Sequence, residues 1–326
     1  MPRDLKACYF LGLVSWVAVV AFAAEPADAA RLAVPPPMPA RAIAPSVSPP
    51  PGVTVELTNQ GVRATLFLPV GWGAPTNGTT RLVMHFHTIA WFTIQEHTRR
   101  GSKLPLLNFA LGEGSATYAK PFVEPARFQG WLRVVEAELS RRGAPPDTRI
   151  TAVDVSSFSA GYGAVREILK LETNRAVIAR IVLCDSLYGG LVDTNAPLGR
   201  RQVVPEHITP WIPFAQAAAR GEKTFLLTTS DIQTIRYAST GECGAAVAAA
   251  VGVKFESVAT KSCPAASEPR YPLLRRADHG RFHIWNYGGD DAPAHLTHVR
   301  HLADLWLSLD ASETNGPTGL PQVPSR

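Results

Sequence analysis

The stretch Arg149–Leu169, RITAVDVSSFSAGYGAVREIL, changes its hydrophobic period in the middle, and few folds accommodate that change. Its first half is β-branched and apolar, the pattern of a buried strand. In its second half Val165, Ile168 and Leu169 fall on one helical face. The switch itself is packed with small residues, Ser157-Phe-Ser159-Ala-Gly161-Tyr-Gly163. A strand that turns sharply into a helix around a central serine is the nucleophile elbow, written G-x-S-x-G, whose strained turn demands small neighbours two positions away. Here Ser157 stands at the first glycine position and Gly161 keeps the second. Such a turn sets the serine Oγ at a helix N-terminus, where free N–H groups and the helix dipole favour developing negative charge. Ser159 is therefore the candidate nucleophile. Close packing alone also selects small residues at a strand–helix junction, so the rest of the chain must supply a base, an acid and anion-binding donors.

Around this stretch, strand patterns alternate with helical ones. Val53–Leu57 and Ala64–Val70 predict two strands with Asn59-Gln60-Gly61 between them, a hairpin signal. Further strands are expected over 81–87, 107–111, 179–185, 223–229 and 282–287. Helices are expected over 128–139, 211–219, 245–251 and 296–309. Strands alternating with helices after an opening β-hairpin predict an α/β fold, a mostly parallel central sheet with helices on both faces. In such sheets ligands bind beyond the carboxyl ends of the strands. The polar residues there are His85, His87 and Thr88, Gly112–Ser115, Ser159, Asp185, Ser230 and Asp231, and Asp290, Asp291 and His295.

The chain has 326 residues, 46% of them hydrophobic and 18% charged, enough apolar material for a sizeable core. Its net charge of +5 comes from scattered arginine pairs with no basic run interleaved with aromatics, so no nucleic-acid partner is indicated. Arg3 and Lys6 precede an apolar run, and A-x-A sites follow at Ala21–Ala23 and Ala27–Ala29. That is the layout of a secretory signal peptide, expected over 1–24, with export to the periplasm or medium and no membrane contact once the leader is removed. The Pro- and Ala-rich segment 25–52 reads as a linker, 53–312 as the folded domain and 313–326 as a Gly- and Pro-rich disordered tail. After export Cys184, Cys243 and Cys263 remain. Cys184 lies within an apolar strand, whereas Cys243 and Cys263 flank one loop-rich region and are expected to form a disulfide in an oxidising compartment. His85 and His87 share one strand face, but no H-E-x-x-H or other close third ligand is present, so neither a metal nor another cofactor is expected.

The element order, the Ser157-Phe-Ser159-Ala-Gly161 elbow and the late Ala294-His295-Leu-Thr-His298 segment resemble the α/β-hydrolase superfamily, over roughly Val53 to Leu309. Together with Phe86-His87 they are similar to secreted bacterial serine hydrolases and esterases. The resemblance implies a Ser-Asp-His order along the chain, with His295 as the base. His279 and His283 are upstream competitors, and His298 and His301 read as surface or packing residues. The acid is Asp185 or Asp231, each at a strand end, with helix or turn capping as the alternative use of either. The oxyanion hole is expected from the backbone of Ala160 and from the loop His87-Thr88. Trp91, Phe92, Tyr118, Tyr188 and Trp211 are the aromatics expected around a substrate pocket. The expected activity is cleavage of a carboxylic ester, small or polymeric, through an acyl-enzyme. Amide hydrolysis and acyl transfer use the same apparatus. The competing expectation is a catalytically silent protein of this fold that binds a cell-wall or carbohydrate ligand.

Overall fold

The computed structural model describes residues 50–258 and 271–314. The expected leader, nearly all of the linker and the tail, and Cys263 lie outside the described residues. Ten strands form one sheet: β1 (Gly52–Asn59), β2 (Val62–Pro69), β3 (Thr79–Phe86), β4 (Leu106–Phe109), β5 (Arg149–Phe158), β6 (Ile178–Cys184), β7 (Thr224–Thr229), β8 (Glu256–Ser257), β9 (Leu273–His279) and β10 (Phe282–Tyr287). Their spatial order is β1-β2-β4-β3-β5-β6-β7-β10-β9-β8. From β4 through β10 neighbours run parallel, whereas the β1–β2 hairpin, the β2–β4 pair and the strands β9 and β8 are antiparallel. This is an α/β-hydrolase-like fold with the expected opening hairpin.

The helices are α1 (Ala90–Arg99), α2 (Ser115–Phe122), α3 (Arg127–Arg141), α4 (Tyr162–Leu169), α5 (Glu172–Val177), α6 (Pro205–Ile208), α7 (Ile212–Ala219), α8 (Thr240–Val251), α9 (Ala292–Arg300) and α10 (Leu302–Thr314). The two-residue period of the strands sorts the core onto two faces. Ile181 and Leu183 of β6, Leu227 of β7 and Ile284 of β10 join Trp131, Val165, Phe214 and Val247 from α3, α4, α7 and α8. Val182, Leu226 and Trp285 point the other way, onto Phe92 of α1 and Leu305, Trp306 and Leu309 of α10.

Several elements differ from the sequence reading: β8, α2, α5 and α6 are absent from it, and three further differences bear on the packing. Strand β9 is also absent from that reading, because only Leu273 and Ala277 of its seven residues are buried and Arg275, Arg276 and Asp278 break the apolar pattern. Its turn into β10 uses Gly280 at φ +58°, where a Cβ would lie 2.3 Å from the Ala219 carbonyl oxygen. The expected helix 296–309 is two helices. The Ala303 amide donates to Glu96 of α1, and the His301 ring is hydrogen-bonded to Asp304 at 2.6 Å, so side chains serve the start of α10. Helix α1 is not among the expected helices; it carries Phe92, Ile94, Glu96 and His97 all buried, which blurs its amphipathic pattern.

One charged network ties α10 to the sheet. Asp154, fully buried on β5, accepts from Arg81 at 2.6 Å and from Arg180 of β6. Arg180 also donates to Asp310 at 2.6 Å, and Arg100 donates to the same carboxylate at 2.8 Å. Both guanidiniums lie over the Trp306 ring, 4.6 Å for Arg100 and 5.0 Å for Arg180. Removing one member of a buried ion pair leaves its partner charged and unsolvated, at about 3–5 kcal/mol. Arg180→Met should therefore lower the unfolding free energy by about 3 kcal/mol or more in urea titration. A loss within the range of an ordinary surface substitution would refute a structural role for the network.

Candidate active site

The elbow forms where β5 meets α4. Ser159 takes φ +45°, a left-handed conformation that a non-glycine residue adopts only when its surroundings hold it there. Those surroundings are tight. A Cβ on Gly161 would lie 2.6 Å from the Phe86 carbonyl oxygen, and one on Gly163 would lie 2.2 Å from that of Ser115. Only glycine lets α4 approach both the end of β3 and the start of α2 this closely. Ser157, at the position where the motif usually has glycine, is buried, and its hydroxyl shares a 2.8 Å hydrogen bond with that of Ser186. The Ser186 hydroxyl in turn donates to the carbonyl of Ser159 at 2.8 Å, so the departure from glycine is used to brace the elbow.

Asp185 follows β6, fully buried and at φ +43°. Its Oδ2 receives the His295 Nδ1 proton at 2.7 Å and the Ser230 hydroxyl at 2.8 Å. Its Oδ1 accepts the Ser230 amide at 3.0 Å and the Thr240 hydroxyl. Burial disfavours the carboxylate, but the bonds from His295 and Thr240 and the nearby His298 outweigh it and hold the pKa down at about 2. Asp231 lies elsewhere. Its carboxylate accepts from Asn286 Nδ2 at 3.1 Å, its amide donates to the Gly289 carbonyl, and it forms no hydrogen bond or ion pair with His295.

His295 sits in the first turn of α9, whose N-cap Asp291 accepts from the Ala294 amide at 2.8 Å and from the Tyr271 hydroxyl at 2.9 Å. The imidazole packs on Phe158, ring centroids 4.5 Å apart, which places it beside the residue preceding Ser159. Because Nδ1 donates to a carboxylate, Nε2 is the nitrogen left to accept a proton. Ser159 and His295 line one cavity of about 930 Å³. His283, His298 and His85 are engaged away from it. His283 is paired with Asp278 at 2.7 Å, and the buried His298 is hydrogen-bonded to Thr228 at 2.8 Å. His85 is in the core, against the Ser156 hydroxyl at 2.7 Å.

The expected oxyanion donors separate. The His87 amide donates to the Phe109 carbonyl at 3.0 Å, extending the β3–β4 ladder, so it is committed. The Thr88 amide makes no such bond among the described residues, and Ala160 directly follows the serine. The His87 ring does line the cavity, held by Tyr118 at 3.0 Å and stacked on Phe158 at 5.9 Å. Among the expected pocket aromatics, Tyr188 lines the cavity. Tyr118 is buried behind His87, Trp91 packs edge-on against Phe92 in the α1 layer, and Trp211 is in the core. Tyr162, Arg166, His207 and Tyr237 line it without having been anticipated, whereas Glu113 and Asp290, which also line it, are among the expected strand-end residues. The spacing Ser159, Tyr162, Arg166 was legible as one helix face, but His207 comes from the four-residue helix α6, too short to leave a periodic signal. Cys243 is a free, buried thiol beneath Gly189, where a Cβ would be 3.3 Å from its sulfur. Its expected partner, Cys263, is outside the described residues. No group of three or more metal-binding side chains occurs among the described residues, and no described helix is long and apolar enough to cross a membrane.

No family model and no curated protein sequence matches the chain. Solved structures similar to it include an uncharacterised protein from Capnocytophaga ochracea, at 12% identity and TM-score 0.45 over 82% of this chain and 66% of that one. Est1E from Butyrivibrio proteoclasticus matches at 12% identity and TM-score 0.35, covering 79% of this chain and 99% of that one. A ferulic acid esterase matches at 9% identity and TM-score 0.46, covering 82% and 98%. The chain thus spans just under two thirds of the first of these. Likeness of this degree assigns no residue and no substrate.

Proposed function

We propose that the chain is a serine hydrolase of carboxylic esters, with Ser159 as nucleophile, His295 as base and Asp185 as the acid that orients it. The observation carrying this reading is the 2.7 Å bond from His295 Nδ1 to the buried Asp185 carboxylate, in a cavity that also presents the strained Ser159. In the proposed reaction His295 Nε2 removes the Ser159 proton as Oγ attacks the ester carbonyl. The resulting imidazolium then protonates the leaving alcohol, and water activated by the same nitrogen hydrolyses the acyl-enzyme. The tetrahedral oxyanion is assigned to the Ala160 and Thr88 amides. Loss of one such donor typically slows acyl transfer by about a hundredfold to a thousandfold.

The decisive experiment is labelling with a fluorophosphonate probe. The native protein should be labelled covalently, with the adduct at Ser159 in peptide mapping, and Ser159→Ala should be inert. Absence of labelling in the native protein would turn the reading toward a binding protein of the same fold, for a cell-wall or carbohydrate ligand.

A further inference from the structure

The cavity extends well past the catalytic groups, and its far wall is cationic and rich in hydrogen-bond donors. Ser159, Tyr162 and Arg166 lie along one face, and Tyr162 and Arg166 are both part-exposed into the cavity. At the rise of a helix the Ser159 and Arg166 Cα atoms are about 10 Å apart along the axis. Long helical side chains lean back toward the N-terminus, so the Arg166 guanidinium reaches toward the serine.

Arg166 is not consumed by other partners. Its Nε lies 3.5 Å from the neighbouring Glu167, and the guanidinium is 5.7 Å from the Tyr162 ring. Its two terminal nitrogens have no hydrogen-bond acceptor among the described residues. Glu167 meanwhile is engaged by Lys170 at 2.5 Å. His207 stands in the same wall. Its Nδ1 accepts the Gly190 amide at 2.6 Å, which fixes the proton on Nε2 and makes that nitrogen a donor. Burial and the Arg166 charge both lower its pKa, so it stays a neutral donor beside a cation. The Gly190 amide can come this close because the residue has no side chain: a Cβ would lie 3.0 Å from His207 Cε1. Tyr188 bridges Tyr162 and Tyr237, with centroids 5.6 and 5.7 Å away. The cavity's carboxylates belong to the catalytic end: Glu113 acts electrostatically on His87, and Asp290 directly precedes the cap of α9.

We propose that this wall is a carboxylate-binding subsite, and that the preferred substrate is an ester whose acyl or alcohol part carries a carboxylate seated on Arg166 and His207. A planar guanidinium with two free terminal nitrogens matches a carboxylate in a bidentate pair, and the tyrosines flank the span between the ester and its charged end. The proposal rests on the hydrolase reading for its chemistry, but the subsite can be tested without turnover.

Mono-4-nitrophenyl adipate and suberate are compared with 4-nitrophenyl hexanoate and octanoate, the neutral esters of equal chain length. The native enzyme should favour the anionic member in kcat/KM by about tenfold or more. That ratio should collapse in Arg166→Met, fall in His207→Gln and be partly kept in Arg166→Lys. Because both esters are read on one protein, a folding defect cannot mimic the change. A native preference for the neutral esters, or a ratio indifferent to Arg166→Met, overturns the proposal. If no ester is cleaved, the hydrolase reading fails, and calorimetric titration decides the subsite. Monomethyl suberate binding more tightly than the neutral dimethyl suberate, with the difference lost in Arg166→Met, sustains it; equal or absent binding refutes it.

Discussion

Asp185→Asn should lower ester turnover by about a thousandfold to ten-thousandfold, with Ser159 and the fold intact. The carboxylate accepts four hydrogen bonds in a fully buried site, and the one from His295 Nδ1 sets the tautomer. An amide can turn its own N–H₂ toward Nδ1, which moves the imidazole proton to Nε2, where it can no longer accept from serine. Asp231→Asn should cost far less, since Asp231 holds Asn286 and the Gly289 loop and is not hydrogen-bonded to His295. The two variants are compared by kcat/KM on one activated ester. The reverse ranking would return the acid role to Asp231, and equal, small losses would remove the acid from the mechanism.

Acid should unfold the protein steeply between pH 6.5 and about pH 4, well above the range set by its carboxylates. Three histidines are buried in neutral form. Burial lowers His85 to about 3, helped by His87. Burial takes His97 to about 4, with the Leu104 carbonyl opposing and Arg100 assisting. Burial likewise takes His298 to about 4, against the pull of Asp185. In the unfolded chain each titrates near 6.5, so across this window the unfolded state binds more protons. Their stabilisation is therefore complete above pH 6.5 and is lost as the pH falls toward the folded values. Each contributes a slope of about 1.4 kcal/mol per pH unit, about 4 together. Unfolding free energies from urea titrations at several pH values read this directly. His97→Gln should flatten the slope by about one proton's worth, or 1.4 kcal/mol per pH unit. Stability independent of pH from 6.5 to 4.5 would mean that these imidazoles are not buried neutral.

How much of this was legible in the sequence depends on how local the signal is. The elbow was, because a change of period and a cluster of small residues are properties of a dozen consecutive positions. Gly161 and Gly163 are small because backbone from β3 and α2 presses on them, a demand visible as composition even before the partners are known. The hairpin and the parallel strands were legible from alternation and apolar runs. Strand β9 was not, since charged side chains mask a strand whose pairing with β10 supplies the backbone bonds.

Local pattern along the chain is enough for the strand–turn–helix around Ser159, the α/β class, and a short set of polar residues at strand ends containing Asp185, Asp231 and His295. It left both carboxylates standing as candidates, because both end strands. Their positions separate only once the chain is folded. Asp185 meets Ser230, Thr240 and His295 from three other segments, 45, 55 and 110 residues along the chain, whereas Asp231 turns to Asn286. Folding likewise took His87 out of the backbone donor role, by pairing its amide with Phe109, and brought Arg166 and His207 into one wall. Hydrogen-bond partners and cavity walls are set by packing between distant segments, and a hydrophobic period read along one segment does not encode them.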